Sequence, residues 1–367
     1  MTFPSIPRNF PKEMRILHLH EDLSSFGGAE VYLSALMELQ TARGHEVSLL
    51  ETKKIPLFNI LQAARKADVV HLHVVYYHTS LRLLFPLAFF PQTVLTMHDV
   101  LNFCPRLTMT PPDGGLCLSP AGLHCFRRCG LSGPGRRRDL LRQVLKRKAL
   151  KRMSRIICPS RFVLRLLKHY GFPKKALLFL PHFLPALPRA EKKGLSREGP
   201  LRILYVGRRT VPKGFTVLCR ALKGATFPFS ALGVGSGKTG LLRFPRGILR
   251  LLPPVPRREI ARFYLWAEVL VQPSLVPEAF GFSALEAAYF GCVPLMTYPG
   301  GGEDWLPEEF LLPRANPNAL TKALEAFYAE RERLKEASAS LRALAEAFAD
   351  PAFHLARLEE IYAGLLP

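Results

Sequence analysis

The sequence predicts an α/β protein built from two parallel-sheet domains, and three stretches carry that expectation. Residues 268–297 read as strand, loop, helix and strand: Glu268-Val-Leu-Val-Gln, a loop holding Pro277 and Gly281, helix formers from Ser283 to Phe290 stopped by Gly291, then Cys292-Val-Pro-Leu-Met-Thr. A short β-branched run, a proline- and glycine-bearing loop and a glycine stop are the punctuation of a βαβ unit. The start of the chain repeats the pattern with Arg15-Ile-Leu-His-Leu-His, a turn at Gly27-Gly28-Ala-Glu30, a helix to about Arg43 and a strand entered through Gly44-His-Glu-Val. Between the two, Leu177 to Gly199 carries Pro181, Pro185 and Pro188 and then a charged run, the composition of an interdomain linker. A length of 367 residues accommodates two domains, each with its own core.

Residues 1–13 contain Pro4, Pro7 and Pro11 and no apolar core, so they read as an extension and not a signal peptide. The first domain is expected over 14–190. Its later strands, Asp68-Val-Val-His71-Leu-His73 and Thr93-Val-Leu-Thr-Met-His98-Asp99, both end in polar residues. His71 and His73 fall on one strand face at a metal-like spacing, but with no third ligand nearby in sequence the preferred reading is a packed strand end. His98, at a strand end, can face a crevice and donate to a bound oxygen, with Asp99 orienting it or ending the strand.

Residues 102–135 form a Pro/Gly-rich insert holding Cys104, Cys117, Cys125 and Cys129, four of the seven cysteines. In a cytoplasmic chain a thiol cluster favours a structural zinc over disulfides. The spacing lacks C-x-x-C knuckles, so unpaired thiols are the other reading. Cys158, Cys219 and Cys292 sit in apolar stretches and are expected in cores.

The second domain, 200–348, opens with Leu201-Arg-Ile-Leu-Tyr-Val-Gly207, then Arg208, Arg209 and Pro212-Lys213-Gly214 before a helix. Gly233-Val-Gly235-Ser-Gly237-Lys-Thr239 looks like an NTPase phosphate loop, but Leu232 stands where that motif needs glycine. Residues 317–348 read as helical, and Pro351 restarts a helix within 350–367 that carries Leu355, Leu358, Ile361 and Tyr362 on one side.

A net charge of +22 calls for an anionic partner: nucleic acid, anionic lipid or a phosphorylated substrate. Arg127 to Arg155 holds twelve Lys or Arg against the single acid Asp139. No aromatic lies between Phe126 and Phe162, which argues against a single-strand nucleic-acid binder that stacks bases. Within this run Leu141, Val144, Leu145 and Ala149 form a stripe that could lie on a membrane surface or pack on the domain. No apolar run is long enough to span a bilayer. The expected location is therefore cytoplasmic, or peripheral on the inner membrane face. With only five Asn and five Gln the composition leans towards a thermophilic source.

Glu278 and Glu286, separated by seven residues that include Phe280, Gly281 and Leu285, resemble the signature of the retaining glycosyltransferases of family 4, the group 1 type with the GT-B fold. Gly27-Gly28-Ala-Glu30, Gly207-Arg208 with Lys213-Gly214, and the Gly-x-Gly turn at 233–235 resemble that family in the same order, so the resemblance spans about residues 14–366. It implies two Rossmann-like α/β/α domains facing across a cleft, with the last helix crossing back to the first domain. It also implies transfer of a sugar from a nucleotide diphosphate donor to an acceptor hydroxyl, with a lipid-linked or cell-envelope glycan as the candidate acceptor. On this likeness Glu278 and His98 are the catalytic pair. Gly27, Gly28, Arg208, Lys213, Phe280, Gly281, Phe282 and Glu286 bind donor, with Glu286 on the ribose and Glu278 also touching the sugar. Neither a cofactor nor an Asp-x-Asp metal motif is implied for catalysis, so Arg and Lys would neutralise phosphate. Two rivals remain open at this point. One is a non-catalytic basic protein docking on anionic membrane or, less readily, nucleic acid. The other is a dehydrogenase, against which neither half carries Gly-x-Gly-x-x-Gly after its first strand.

Overall fold

The computed structural model describes residues 13–23, 27–73, 80–112, 115–131, 133–188, 198–314 and 316–366. Residues 1–12, nearly all of the expected extension, lie outside this set. The chain divides into two compact units, Met1–Pro185 with Asp350–Pro367, and Ala186–Ala349.

The first unit runs β1 (Arg15–His20), α1 (Gly28–Ala42), β2 (Glu46–Glu51), α2 (Leu57–Lys66), β3 (Val69–His73), α3 (Leu81–Leu87), β4 (Thr93–Thr96), α4 (His124–Cys129), α5 (Pro134–Leu150), β5 (Arg155–Cys158), α6 (Arg161–His169) and β6 (Leu177–Phe179). Its six strands form a parallel sheet in the order β2-β1-β3-β4-β5-β6. β3 and β4 are buried along their whole length, as a parallel sheet covered on both faces requires. α6 shows how a helix is set on it: Ser160 Oγ accepts the Val163 amide at 3.2 Å, and Phe162, Val163, Leu166 and Leu167 turn inward. The linker expected from Leu177 begins a few residues later, nearer its first proline, because residues 177–179 pair with β5 as the edge strand.

The second unit runs β7 (Leu201–Val206), α7 (Phe215–Lys223), β8 (Phe229–Val234), β9 (Gly240–Phe244), β10 (Gly247–Leu252), α8 (Arg257–Trp266), β11 (Val269–Gln272), α9 (Phe282–Tyr289), β12 (Val293–Tyr298), β13 (Leu311–Pro313), α10 (Pro317–Ala329) and α11 (Arg331–Phe348). Its sheet has the order β13-β12-β11-β7-β8-β10-β9, parallel except where β9 pairs antiparallel with β10. The expected βαβ unit over 268–297 is present as β11-α9-β12. In each sheet the strand that comes first in the chain lies between two later ones, β1 between β2 and β3 and β7 between β8 and β11. The loops leaving its carboxyl end diverge there, the place where open α/β sheets bind ligands.

α12 (Pro351–Ala363) belongs to the first unit and buries His354, Leu355, Ala356, Leu358, Glu359 and Tyr362. The stripe expected on α5 is displaced. Leu140, Gln143, Lys146, Ala149 and Leu150 are buried, whereas Leu141 is 58% exposed. Apolar spacing identified the helix but not its rotation, because the inward face carries two polar side chains. Among the described residues no helix is long and apolar enough to cross a membrane.

Candidate active site

The loops after β7 and β11 are locked together at one point. Gly214 is left-handed (φ +72°), and a Cβ there would stand 1.7 Å from the Pro273 carbonyl oxygen, so only glycine lets the backbones meet. The Pro212 carbonyl accepts the Leu275 amide at 2.9 Å, and the buried Tyr205 hydroxyl donates to the Arg208 carbonyl at 2.6 Å.

This contact delivers Lys213 to Glu278. Lys213 Nζ donates to both carboxylate oxygens, at 2.8 and 2.9 Å. Ser274 Oγ donates to Oε1, and Gln272 also hydrogen-bonds the group. Burial alone would raise the Glu278 pKa, but Lys213 and the hydrogen bonds outweigh it and hold the carboxyl below its ordinary range. Arg314, which binds the Leu275 carbonyl and the Pro299 carbonyl (3.0 Å), is pushed by burial down to about 10, against the pull of Glu278.

Arg208 is exposed, and its guanidinium has no hydrogen bond or ion pair among the described residues. Arg209 behaves differently: its amide donates to Ser236 Oγ at 3.0 Å, its Nε to the Ser236 carbonyl and its Nη1 to the Lys238 carbonyl at 2.9 Å. Of two adjacent arginines, one braces the turn after β8 and the other is left for solvent or ligand.

α9 starts from Gly281, also left-handed (φ +95°). Phe280 is buried with its ring near Phe282 and Phe348, so only its backbone can meet a ligand, whereas Phe282 is half-buried. Glu286 lies in the second turn of α9. Arg257 Nη1 donates to its Oε1 at 2.7 Å and Tyr264 to its Oε2 at 2.9 Å. Ser274, Gln272, Arg314, Arg257 and Tyr264 were not singled out from sequence. The Pro-Ser before the loop was the nearest signal, and the two α8 partners had none.

In the first unit Gly27 caps α1 and, with Gly28, is exposed. His98 follows β4 and is half-buried, while Asp99 Oδ1 accepts the Leu101 amide at 2.6 Å in the turn. Behind His98 the sheet brings His18 into register with His71, so the third histidine that sequence spacing did not provide comes from β1. Ring nitrogens of His18, His71 and His73 lie within 4.8 Å of one another. Their other neighbours make this a hydrogen-bonded cluster and not an open metal seat, since each ring nitrogen already has a polar partner. Burial lowers His18 to about 4 and His98 to about 3. It also lowers His71 and His73 well below the ordinary imidazole value, helped by the neighbouring imidazoles.

The four insert cysteines come together. Cys104, Cys117, Cys125 and Cys129 line one cavity of about 10 Å³, with Arg106, Ser119 and Leu131 among its walls. Cys125 and Cys129 also join Ala121, Leu131 and Leu140 in a small core, and burial raises both thiols.

Two parallel α/β sheets, each with polar side chains gathered at its switch point, define a two-domain protein of the GT-B class. Family models agree: "Glycosyltransferase Family 4" matches residues 52–184 and "Glycosyl transferases group 1" matches residues 243–343. The chain belongs to the group 1, family-4-type glycosyltransferases and is an enzyme of that kind. No curated protein sequence matches it. Among solved structures it resembles HepE of Anabaena, described in complex with UDP and glucose, at 14% identity and TM-score 0.69, over 96% of this chain and 100% of that one. Sucrose-phosphate synthase of Thermosynechococcus elongatus is similar at 18% identity and TM-score 0.70, over 96% and 99%. WaaG, described as a glycosyltransferase of lipopolysaccharide biosynthesis, is similar at 15% identity and TM-score 0.66, over 95% and 100%. At these identities the likeness establishes the fold.

Proposed function

We propose that this enzyme takes its sugar from a nucleoside diphosphate and transfers it with retention of anomeric configuration. The observation that carries this reading is the Lys213–Glu278 pair beside the uncommitted Arg208. Two cations at one switch point suit a diphosphate, and they absorb charge on it as the glycosidic bond breaks. Glu278, held ionised, would oppose positive charge growing on the sugar ring. Glu286, gripped by Arg257 and Tyr264, keeps lone pairs for ribose hydroxyls, and the backbone at Phe280–Phe282 offers amides to phosphate. In the first unit the exposed backbone at Gly27–Gly28 and His98 are the ligand-facing groups. HepE has been described with UDP and UDP-glucose, which favours a nucleotide-sugar donor here. The test is thermal stability with UDP, ADP, GDP and NAD, followed by the anomeric NMR signal of the product. One nucleoside diphosphate should stabilise the protein by about 2.7 kcal/mol at a hundred times its Kd. Stabilisation by NAD alone, or an inverted product, would remove the reading.

The acceptor side of the proposal is an anionic amphiphile at a membrane surface. Arg82, Arg138 and Arg142 share a groove of about 330 Å³ with Leu81, Leu141 and Leu145, so charge and apolar surface alternate there. Vesicle co-sedimentation should rise with anionic lipid and fall with salt; equal binding to neutral vesicles counts against it. We also propose that the cysteine cavity holds one structural zinc, a reading supported by four thiols around a space that admits no more than a single small occupant. Elemental analysis should give one zinc per chain, and four titrating thiols without metal would refute it.

A further inference from the structure

The polar groups behind His98 form one continuous chain. His98 Nε2 lies 3.1 Å from His73 Nδ1, and His73 Nε2 lies 2.9 Å from His18 Nδ1. His18 Nε2 lies 2.7 Å from Gln40 Oε1. Beyond it, Gln40 Nε2 donates to the Tyr362 hydroxyl at 3.3 Å, that hydroxyl lies 2.5 Å from His71 Nδ1, and His71 Nε2 lies 2.7 Å from Thr96 Oγ1. His18, Gln40, His71, His73, Thr96 and Tyr362 are all fully buried at 0% exposure. An imidazolium so deeply buried would be strongly disfavoured, so every ring is neutral and has one N–H.

Neutrality makes the chain directional. An amide oxygen only accepts, so His18 must carry its proton on Nε2, which leaves Nδ1 bare to accept from His73 Nε2–H. His73 Nδ1 is then bare and accepts from His98 Nε2–H. On the other side the amide N–H meets the Tyr362 oxygen, the Tyr362 proton points to His71 Nδ1, and His71 donates from Nε2 to Thr96. Every imidazole N–H in the chain has an acceptor. Turning the Gln40 amide over would reverse each proton in turn and place one on His98 Nδ1.

We propose that Gln40, through His18 and His73, sets the tautomer of His98: Nε2–H engaged inward, Nδ1 presented as a bare acceptor. The tautomer of a histidine is decided by the bond its inner nitrogen makes, and here that bond is decided three links away, on α1. His98 Nδ1 has no hydrogen-bond partner among the described residues, and the residue is half-buried, so a ligand hydroxyl can reach it. His98 would then accept from a sugar hydroxyl, the opposite of the donor role its position first implied. Gln40, His18 and His73 are positioning residues. The part of this inference that concerns a sugar rests on the proposed donor; the tautomer itself does not.

The experiment is multiple-bond ¹H–¹⁵N NMR of the full chain labelled at histidine, with the His98 ring assigned by its loss in His98→Gln. Wild-type protein without ligand should show His98 with a protonated Nε2 and a bare Nδ1. In Gln40→Met, close in length but without an acceptor, His98 should show both tautomers. Turnover with donor should fall roughly five- to tenfold, the weight of one hydrogen bond, with nucleoside-diphosphate binding unchanged. A protonated Nδ1 in the wild type, or an unaltered tautomer in Gln40→Met, overturns the proposal. The wild-type spectrum decides even if the variant does not fold, and neither spectrum depends on the donor being identified.

Discussion

The two units bury polar groups in opposite ways. At the β7/β11 corner the protein keeps charge: Glu278 stays ionised because Lys213, Ser274 and Gln272 surround it. Behind β1, β3 and β4 it sheds charge: burial disfavours the charged imidazoles, and each neutral ring is hydrogen-bonded at both nitrogens. A charge costs several kcal/mol to bury unless it is paired, and a neutral ring costs little if both nitrogens are bonded. The corner can therefore exchange partners with an incoming diphosphate, whereas the histidine cluster is saturated and can only hold a neighbour in place.

Acid should separate the two regions most strongly. The folded pKa of the buried histidines lies below their unfolded value near 6.5, so the unfolded state binds more protons as pH falls. Stability is then lost from about pH 6.5 downwards, until pH about 4 for His18 and about 3 for His98. His18 alone accounts for roughly 3 kcal/mol. Glu278 has the opposite chemistry but the same sign: its depressed pKa contributes stability above its unfolded value, near 4.5, and loses it only below. Amide hydrogen exchange at pH 7, 5.5 and 4.5 should show the first sheet opening while the second is still protected. Simultaneous opening would contradict the contrast.

Within the charged corner the next effect is catalytic. Glu278→Gln should bind nucleoside diphosphate almost normally and lose turnover by roughly a hundredfold or more. Glu286→Gln weakens one charge-assisted hydrogen bond, about 1.5–3 kcal/mol, so donor affinity should fall about ten- to a hundredfold with turnover at saturation nearer normal. Calorimetric binding beside single-turnover rates distinguishes them, and an exchange of the two phenotypes would invert the assignment. The smallest effect is expected at Arg208, whose guanidinium holds nothing among the described residues. Arg208→Ala should weaken diphosphate binding by about tenfold and leave Tm unchanged. Arg209→Ala should do the reverse, lowering Tm through the turn at Ser236–Lys238.

Much of this was legible in the residues. Glycine stops, proline breaks and β-branched runs place β1, β7 and the β11-α9-β12 unit, because those signals act through local backbone geometry. Lys213 and Glu278 could be named separately, since each stands at a fixed offset from a glycine turn. The β9–β10 pair went unnoticed because its alternation is weak and one of its strands is exposed.

The sequence by itself therefore determined the class of fold, the strand ends where ligand chemistry gathers and the residue types found there, all properties of short stretches. Only the tertiary structure decided their partners. Glu278 is 65 residues from Lys213 and Glu286 is 29 from Arg257, and neither separation has a local signature. His71 and His73 looked short of a third member until parallel pairing set His18 beside His71. Gln40 joins that cluster because α1 lays one buried amide against β1. α5 likewise turned Gln143 and Lys146 inward and Leu141 outward, against its own apolar spacing. Helical periodicity states which residues share a face, but which face is buried depends on the surfaces packed against it, and those come from elsewhere in the chain.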